Sequence, residues 1–353
     1  MSDAPLRKLE AGSSLSRTEA DALMEELLAG RMAHEEIVRL LRALRAKGET
    51  VEELVGFARA MRRRMRPIVI GNAGVGGAPE AGGGALVDEF PLVDTCGTGG
   101  DASGTFNVST AAALVVAGAG VRVAKHGNRS LSSRCGSADV LEALGVNINL
   151  SPEQSGKAIA EIGIAFLFAP AMHTAVRHAM AARREVGGRT VFNLLGPLAN
   201  PAGASVQVIG VPAMELVEKL GHALAELGGS RALVVHGTDG LDEISLSAET
   251  EVADVRPGKV SRYRIAPEDF SVARAARESL AGGDAEMNAG IIRRILAGEP
   301  GPPRDFVCIN ASAALLAAGH AVDFREGARV AAAAIDSGAA RGKLEALIAF
   351  GSS

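Results

Sequence analysis

Val121-Arg122-Val123-Ala124-Lys125-His126-Gly127-Asn128-Arg129-Ser130-Leu131-Ser132-Ser133-Arg134-Cys135-Gly136-Ser137-Ala138-Asp139 decides how the chain is read. It opens as an apolar run of strand length, breaks into a stretch dense in hydrogen-bond donors, and resumes as a helix at Gly136-Ser137. Lys125, Arg129 and Arg134 supply fixed charge, and Ser130, Ser132, Ser133 and Ser137 supply hydroxyls. Gly127 and Gly136 let the backbone turn sharply. Neither a core strand nor a surface helix needs that mixture. An anionic ligand wrapped by backbone N–H groups does.

The same order recurs upstream. Leu92-Val93-Asp94 leads into Gly97-Thr98-Gly99-Gly100-Asp101, and Asn107-Val108-Ser109-Thr110 then starts a helix. Successive amides in a glycine loop can cradle anionic oxygens, and the following helix N-terminus adds a positive dipole end. The stretch is neither a P-loop nor a dinucleotide fingerprint, since no lysine follows the glycines. Ala165-Phe168, Val206-Val211 and Ala232-Val235 are further strand-length runs. Helical patterns near 109–118, 137–144, 152–162, 173–186 and 213–227 separate them. Strand–helix alternation predicts an α/β fold, a mostly parallel sheet flanked by helices, with ligands at the carboxyl ends of the strands.

Residues 16–65 read differently, as three short amphipathic helices. Ser16/Glu19 and Thr50/Glu53 have capping-box spacing. Leu23, Leu27 and Leu28, then Ile37, Leu40, Leu41 and Leu44, then Leu54, Ala58, Met61 and Met65 form the apolar stripes. Gly30, Gly48 and Pro67 end them. Helices this short must bury their stripes against each other, a later segment or another subunit. Arg59, Arg62, Arg63, Arg64 and Arg66 form a basic cluster that solvation and the helix dipole account for. The glycine-rich stretch 71–86 reads as a connector.

Composition bounds the function. At 353 residues with 47% apolar content, the chain can bury a large core, and two domains are expected. A net charge of −4 argues against indiscriminate nucleic-acid binding, though not against a local cationic pocket. Cys96, Cys135 and Cys308 are widely spaced and match no disulfide or zinc pattern. With no apolar signal core at the N-terminus and no membrane-length apolar run, a cytoplasmic protein is expected.

Five stretches occur in the order and spacing of one family: GTGGD (97–101), NVST (107–110), KHGNRSLSSRCGSAD (125–139), VFNLLGPLANP (191–201) and DGLDE (239–243). The chain closely resembles the anthranilate phosphoribosyltransferases, whose fold is shared with pyrimidine nucleoside phosphorylases. The resemblance implies an all-helical N-terminal domain over residues 1–88, joined by helices from about 172–196, and an α/β domain over 89–353. It implies transfer of phosphoribose from 5-phosphoribosyl 1-pyrophosphate to the amine of anthranilate, the second step of tryptophan biosynthesis from chorismate. It further implies a homodimer through the helical domain, with no nucleic-acid or membrane partner.

The resemblance also assigns residues. Phosphoribosyl pyrophosphate would be held by Gly97, Gly100, Asp101, Thr105, Asn107, Val108, Ser109, Thr110, Lys125, His126, Gly127, Asn128, Arg129, Ser130, Leu131, Ser132, Ser133 and Ser137. Anthranilate would meet Gly97, Asn128 and Arg183, which lies ten residues after His173 as in the family. A guanidinium grips a planar carboxylate through two parallel hydrogen bonds. Asp242 and Glu243 would repel a pyrophosphate unless a cation intervened, and with Ser109 they are the expected magnesium contacts, with two ions per subunit. No residue receives a firm acid–base role, and His126 is the candidate for proton removal. Met172 stands where some relatives carry tyrosine, so stacking on the acceptor is not implied there. Two rivals are a pyrimidine nucleoside phosphorylase, whose glycine motifs differ, and a non-catalytic nucleic-acid binder, which would have lost the phosphate motifs.

Overall fold

The computed structural model describes residues 4–71, 91–101, 103–130 and 134–352. The connector expected over 71–86 and the domain boundary expected at 88 lie outside them, Gly71 apart.

The chain opens with α1 (Ala4–Glu10), α2 (Arg17–Leu28), α3 (His34–Lys47) and α4 (Val51–Arg64). Both expected capping boxes form: Glu19 N donates to Ser16 Oγ at 3.2 Å, and Glu53 N to Thr50 Oγ1 at 3.2 Å. Glu53 does more than cap. Its fully buried carboxylate also accepts from Leu15 N at 2.9 Å and Lys47 Nζ at 2.8 Å, tying three segments together. Gly56 lets α4 lie against α2, since a Cβ there would stand 2.4 Å from Arg17 O. The basic cluster splits. Arg63 and Arg64 pair with Asp21 and Glu25, whereas the largely buried Arg62 donates to Leu198 O at 2.8 Å and Leu227 O at 2.9 Å. Solvation therefore does not account for Arg62: it ties the helical layer to the second part of the chain.

That second part runs β1 (Leu92–Asp94), α5 (Val108–Gly118), β2 (Arg122–Gly127), α6 (Ser137–Ala143), α7 (Pro152–Ile162), β3 (Ile164–Phe168) and α8 (Ala169–Met172). A 3-10 turn at Thr174–Ala179 leads to α9 (Met180–Val186) and α10 (Val191–Leu198). β4 (Val206–Gly210), α11 (Met214–Leu227), β5 (Arg231–Gly237), β6 (Thr250–Arg256) and β7 (Lys259–Ile265) complete the sheet, and α12 (Ala285–Leu296), α13 (Pro302–Ala317), α14 (Phe324–Asp336) and α15 (Ala339–Ser352) close the chain. The sheet order is β3-β2-β1-β4-β5-β6-β7. β1 to β5 are parallel; β6 and β7 are antiparallel additions at one edge. The expected parallel core is present, and the antiparallel pair is an addition to it.

Side chains alternate across the sheet. Leu233 and Val235 face a core built with α5, α6 and α12 to α15. Ala232 and Val234 face the opposite core, which includes Leu23, Leu40, Leu41 and Leu54 of the N-terminal helices and the apolar face of α11. The N-terminal stripes are thus buried within the chain. Leu40 and Leu41 are no more than 1% exposed, so they are not a dimer face. Leu40→Ala should lower stability by roughly 2–5 kcal/mol, as for other buried leucines, without changing the sedimentation coefficient of the folded fraction. A urea midpoint equal to wild type would contradict this burial.

Candidate active site

Strand order locates the site before any residue role is assumed. The chain leaves β1 for β2 and β3 on one side, then returns to place β4 on the other side of β1. This is the switch point at which open α/β sheets bind ligands, beyond the carboxyl ends of the strands. The loop after β1 carries GTGGD, and Thr98 N donates to Gly210 O at the end of β4 at 2.9 Å. Gly99 and Gly100 have φ of 66° and 90°, which favours glycine at both. Gly210 has a steric reason: a Cβ would lie 1.6 Å from Asp242 O.

Around this junction a small pocket is lined by Thr95, Gly97, Ser109, Gly210, Glu243 and Asn310. Lys125, at the end of β2, is buried beside it and donates to Thr95 O at 2.9 Å and Ser109 Oγ at 3.4 Å. Asp242 and Glu243, from the loop after β5, enter from the other side. A Cβ on Gly97 would stand 3.5 Å from Asp242 Oδ2, and Asp242 N is 3.5 Å from Asp101 Oδ2. Asn310 of α13 pins this loop, accepting from Ile244 N at 3.0 Å and donating to Ile244 O at 3.1 Å. Burial, and then the charge of Asp101, pushes the Asp242 carboxyl well above its ordinary range. Burial, and then Asp242, does the same to Glu243. Lys125 offsets only part of that cost. Among the described residues no three His, Cys, Asp or Glu side chains form a metal cluster. The acid pair would therefore need oxygens from a ligand to complete a cation's shell.

The remaining expected residues divide. Asn107 caps α5 by position, but its side chain is engaged elsewhere: Nδ2 donates to Cys135 O at 3.2 Å, and Oδ1 accepts from Asn288 Nδ2 at 2.9 Å. Thr105 forms a bridge to Ala281, and Val108 and Thr110 are buried in the first turn of α5, with the Thr110 hydroxyl unpartnered among the described residues. Gly127 lies tight against Ser137, where a Cβ would come 2.2 Å from Oγ. Asn128 accepts from Arg129 N at 2.8 Å and, through its carbonyl, from Ser137 Oγ at 3.3 Å. Arg129 is taken up by Asp139 and Glu142 and overlies the Phe168 ring. Ser130 N donates to Asp139 Oδ2 at 3.2 Å. Leu131, Ser132 and Ser133 lie outside the described residues.

Arg183 sits on α9 with its guanidinium 5.2 Å from the Phe192 ring centroid. It is half-buried, burial depresses its pKa, and among the described residues Nε has no hydrogen-bond partner. A buried cation without an acid beside it is costly unless a ligand supplies one. Met172 is fully buried, which removes it from any stacking role. His126 and His173 are buried edge to face, with ring centroids 5.1 Å apart. Burial holds both neutral, taking His173 down to about 4.

Two supports were not read from the sequence. Asp94, fully buried and pushed up to about 6 by burial, accepts from His126 N at 3.1 Å and Asn200 Nδ2 at 2.8 Å. Asn200 also donates to Ala124 O at 2.9 Å, so the pair fixes the end of β2 against β1. An aspartate closing a strand run was the available signal.

A family model described as "Glycosyl transferase family, a/b domain" matches residues 89–341, and its "helical bundle domain" companion matches 5–65. An anthranilate phosphoribosyltransferase of Solibacter usitatus is 52% identical over 348 residues, covering 99% of this chain and 98% of the relative. The chain belongs to the anthranilate phosphoribosyltransferase family. The crystal structure of the Thermus thermophilus anthranilate phosphoribosyltransferase superposes with a TM-score of 0.89 at 44% identity and covers 99% of both chains. That of the Saccharomyces cerevisiae enzyme, in complex with PRPP and Mg, does so with 0.86 at 26% identity over 99% of this chain and 97% of that one. As a family member the chain is a phosphoribosyl-transferring enzyme of tryptophan biosynthesis.

The buried histidines make a pH prediction. With His173 near 6.5 when unfolded and about 4 when folded, the unfolded chain takes up the proton first as pH falls. The stability linked to His173 is complete above pH 6.5 and is lost between pH 6.5 and 4, amounting to about 3 kcal/mol. The raised carboxyls act in the opposite direction, so the comparison is between variants. The difference in unfolding free energy between wild type and His173→Gln should change across this window. A constant difference would show that His173 is not held neutral.

Proposed function

We propose that phosphoribosyl pyrophosphate lies across the β1/β4 junction, with its phosphates against Gly97 to Asp101, Asn107 to Thr110 and Lys125, and that anthranilate reaches it from the side of Asn128 and Arg183. The observation that carries this is the acid pair Asp242–Glu243, half-buried beside Asp101 and facing Lys125 and Ser109. Partly desolvated carboxylates beside a phosphate site fit a divalent cation, and the yeast relative holds PRPP and Mg. Asp242, Glu243 and Ser109 would hold magnesium, with two ions proposed per subunit. When bound, the metal offsets charge that grows on departing pyrophosphate.

The chain's own residues supply the rest. An aryl amine is neutral at pH 7 and attacks with its own lone pair, so no strong base is needed first. Lys125 adds positive charge where the leaving group gathers negative charge. Arg183 fixes the carboxylate of the acceptor, which converts the encounter into an oriented one. His126, held neutral, is in the form that can accept the proton released after C–N bond formation. We further infer a cytoplasmic homodimer whose contact uses outward faces of the helical layer, the Leu40 stripe being consumed inside.

Arg183→Ala should lower kcat/KM for anthranilate by about 10- to 150-fold, the value of a charge-assisted pair, with little effect on phosphoribosyl pyrophosphate. An unchanged value removes Arg183 from the acceptor site. Asp242→Asn with Glu243→Gln keeps size while removing two charges. Because the folded pKa values are raised, the stability tied to those protons is lost as pH rises through them. The double variant should therefore melt higher than wild type at pH 8 without magnesium, yet turn over slowly with its magnesium activation curve moved to higher concentration. Wild-type turnover and an unshifted curve would end the metal assignment.

A further inference from the structure

Arg189 belongs to none of the expected site residues, yet it lies over the glycine loop. It follows α9 through Gly187 and Gly188, whose φ values are 64° and 60°. Arg45 of α3 clamps this turn, donating to Arg189 O at 2.9 Å, Val186 O at 3.3 Å and also Gly187 O. The backbone is thus fixed, and the side chain projects toward Gly100. A Cβ on Gly100 would stand 2.9 Å from Arg189 Cδ and 3.2 Å from Cγ, so the aliphatic stem covers the loop where any larger residue would collide with it.

Arg189 is half-buried, and among the described residues its guanidinium makes no ion pair or hydrogen bond. Glu49, Asp242 and Glu215 act on it only at longer range, while burial works against its charge. A rigidly held, partly desolvated guanidinium next to a phosphate loop suits a ligand with several anionic oxygens, which it can engage through two parallel N–H donors. Lys125 is on the far wall of the pocket and Arg183 stands against Phe192, so neither covers the Gly99–Gly100 side.

We propose that Arg189 is a pyrophosphate-binding residue, its guanidinium closing over Gly99–Gly100 onto the leaving group of the phosphoribosyl donor. This rests on placing that donor at the GTGGD loop. It gives the donor site two cationic walls, Lys125 from β2 and Arg189 from the α9–α10 turn. It also explains the tight packing at Gly100: a side chain there would displace the arginine.

The test is product inhibition by magnesium pyrophosphate, which reports the leaving-group contact without anthranilate chemistry. Arg189→Met keeps the stem over Gly100 and removes the charge; Arg189→Lys keeps a charge without the fork. In Arg189→Met the inhibition constant for pyrophosphate and KM for phosphoribosyl pyrophosphate should both rise about 10- to 150-fold, with Arg189→Lys between it and wild type and KM for anthranilate unchanged. Unchanged pyrophosphate inhibition in both variants overturns the proposal. An increase in KM for anthranilate instead would assign Arg189 to the acceptor and overturn it as well. Lys125→Met separates the two readings. If it weakens pyrophosphate and Arg189→Met does not, Arg189 alone is wrong; if neither does, the donor is not at this loop.

Discussion

The site depends on a charge imbalance the chain cannot cancel by itself. Asp242 and Glu243 are half-buried against Asp101, and their carboxyls are driven upward by desolvation, with Asp101 adding to the shift of Asp242 and Asp242 to that of Glu243. Lys125 stands across the pocket, but its ammonium is spent on Thr95 O and Ser109 Oγ. A protein selected for stability alone would replace such acids with neutral isosteres. Their retention makes sense when a metal-bound polyanion completes the arrangement, since the acids then hold the cation and the cation holds the phosphates. Arg183 repeats the logic with opposite sign, as a half-buried guanidinium for which the proposed counterion is the carboxylate of the acceptor.

The fold serves these charges by holding their backbones rigid. Gly210 accepts from Thr98 and leaves no room for a side chain beside Asp242, so the loops after β1, β4 and β5 interlock at the switch point. Asn310 fixes the acid loop from α13, and the Asp94–Asn200 pair fixes the end of β2. Glu53 and Arg62 bind the helical layer within itself and to the segments around Leu198 and Leu227. Arg183, and the turn that Arg45 clamps, hang from that layer. The proposed acceptor and donor contacts therefore come from two layers that share one apolar core.

Much of this was legible in the sequence because the signals were local. Capping boxes, strand-length apolar runs and glycine-rich loops state their conformation within a few residues, and β1 to β5 fall where such runs occur. The antiparallel pair was not legible. β6 carries Glu251 on one face and Asp254 on the other, where Arg262 and Arg264 of β7 neutralise the first and Arg231 of β5 the second, so neither face reads as an uninterrupted apolar row. Arg62 was misread for the converse reason: a cation in a basic run looks solvated until its carbonyl partners, more than a hundred residues away, are seen. At the site, residues inside motifs were visible and their partners were not. Asn288, Asn310 and Asp94 act through hydrogen bonds to residues 32 to 181 positions away, which no spacing rule encodes.

The most direct test of this account is calorimetric binding of phosphoribosyl pyrophosphate to the wild-type protein without anthranilate, with magnesium and then with a chelator. If the acid pair needs a cation to accept the pyrophosphate, chelation should weaken the dissociation constant by about one to two orders of magnitude, at the upper end of ordinary coupling between ligands. Equal affinity with and without magnesium would mean that the acids do not face the pyrophosphate, and the central claim would fail.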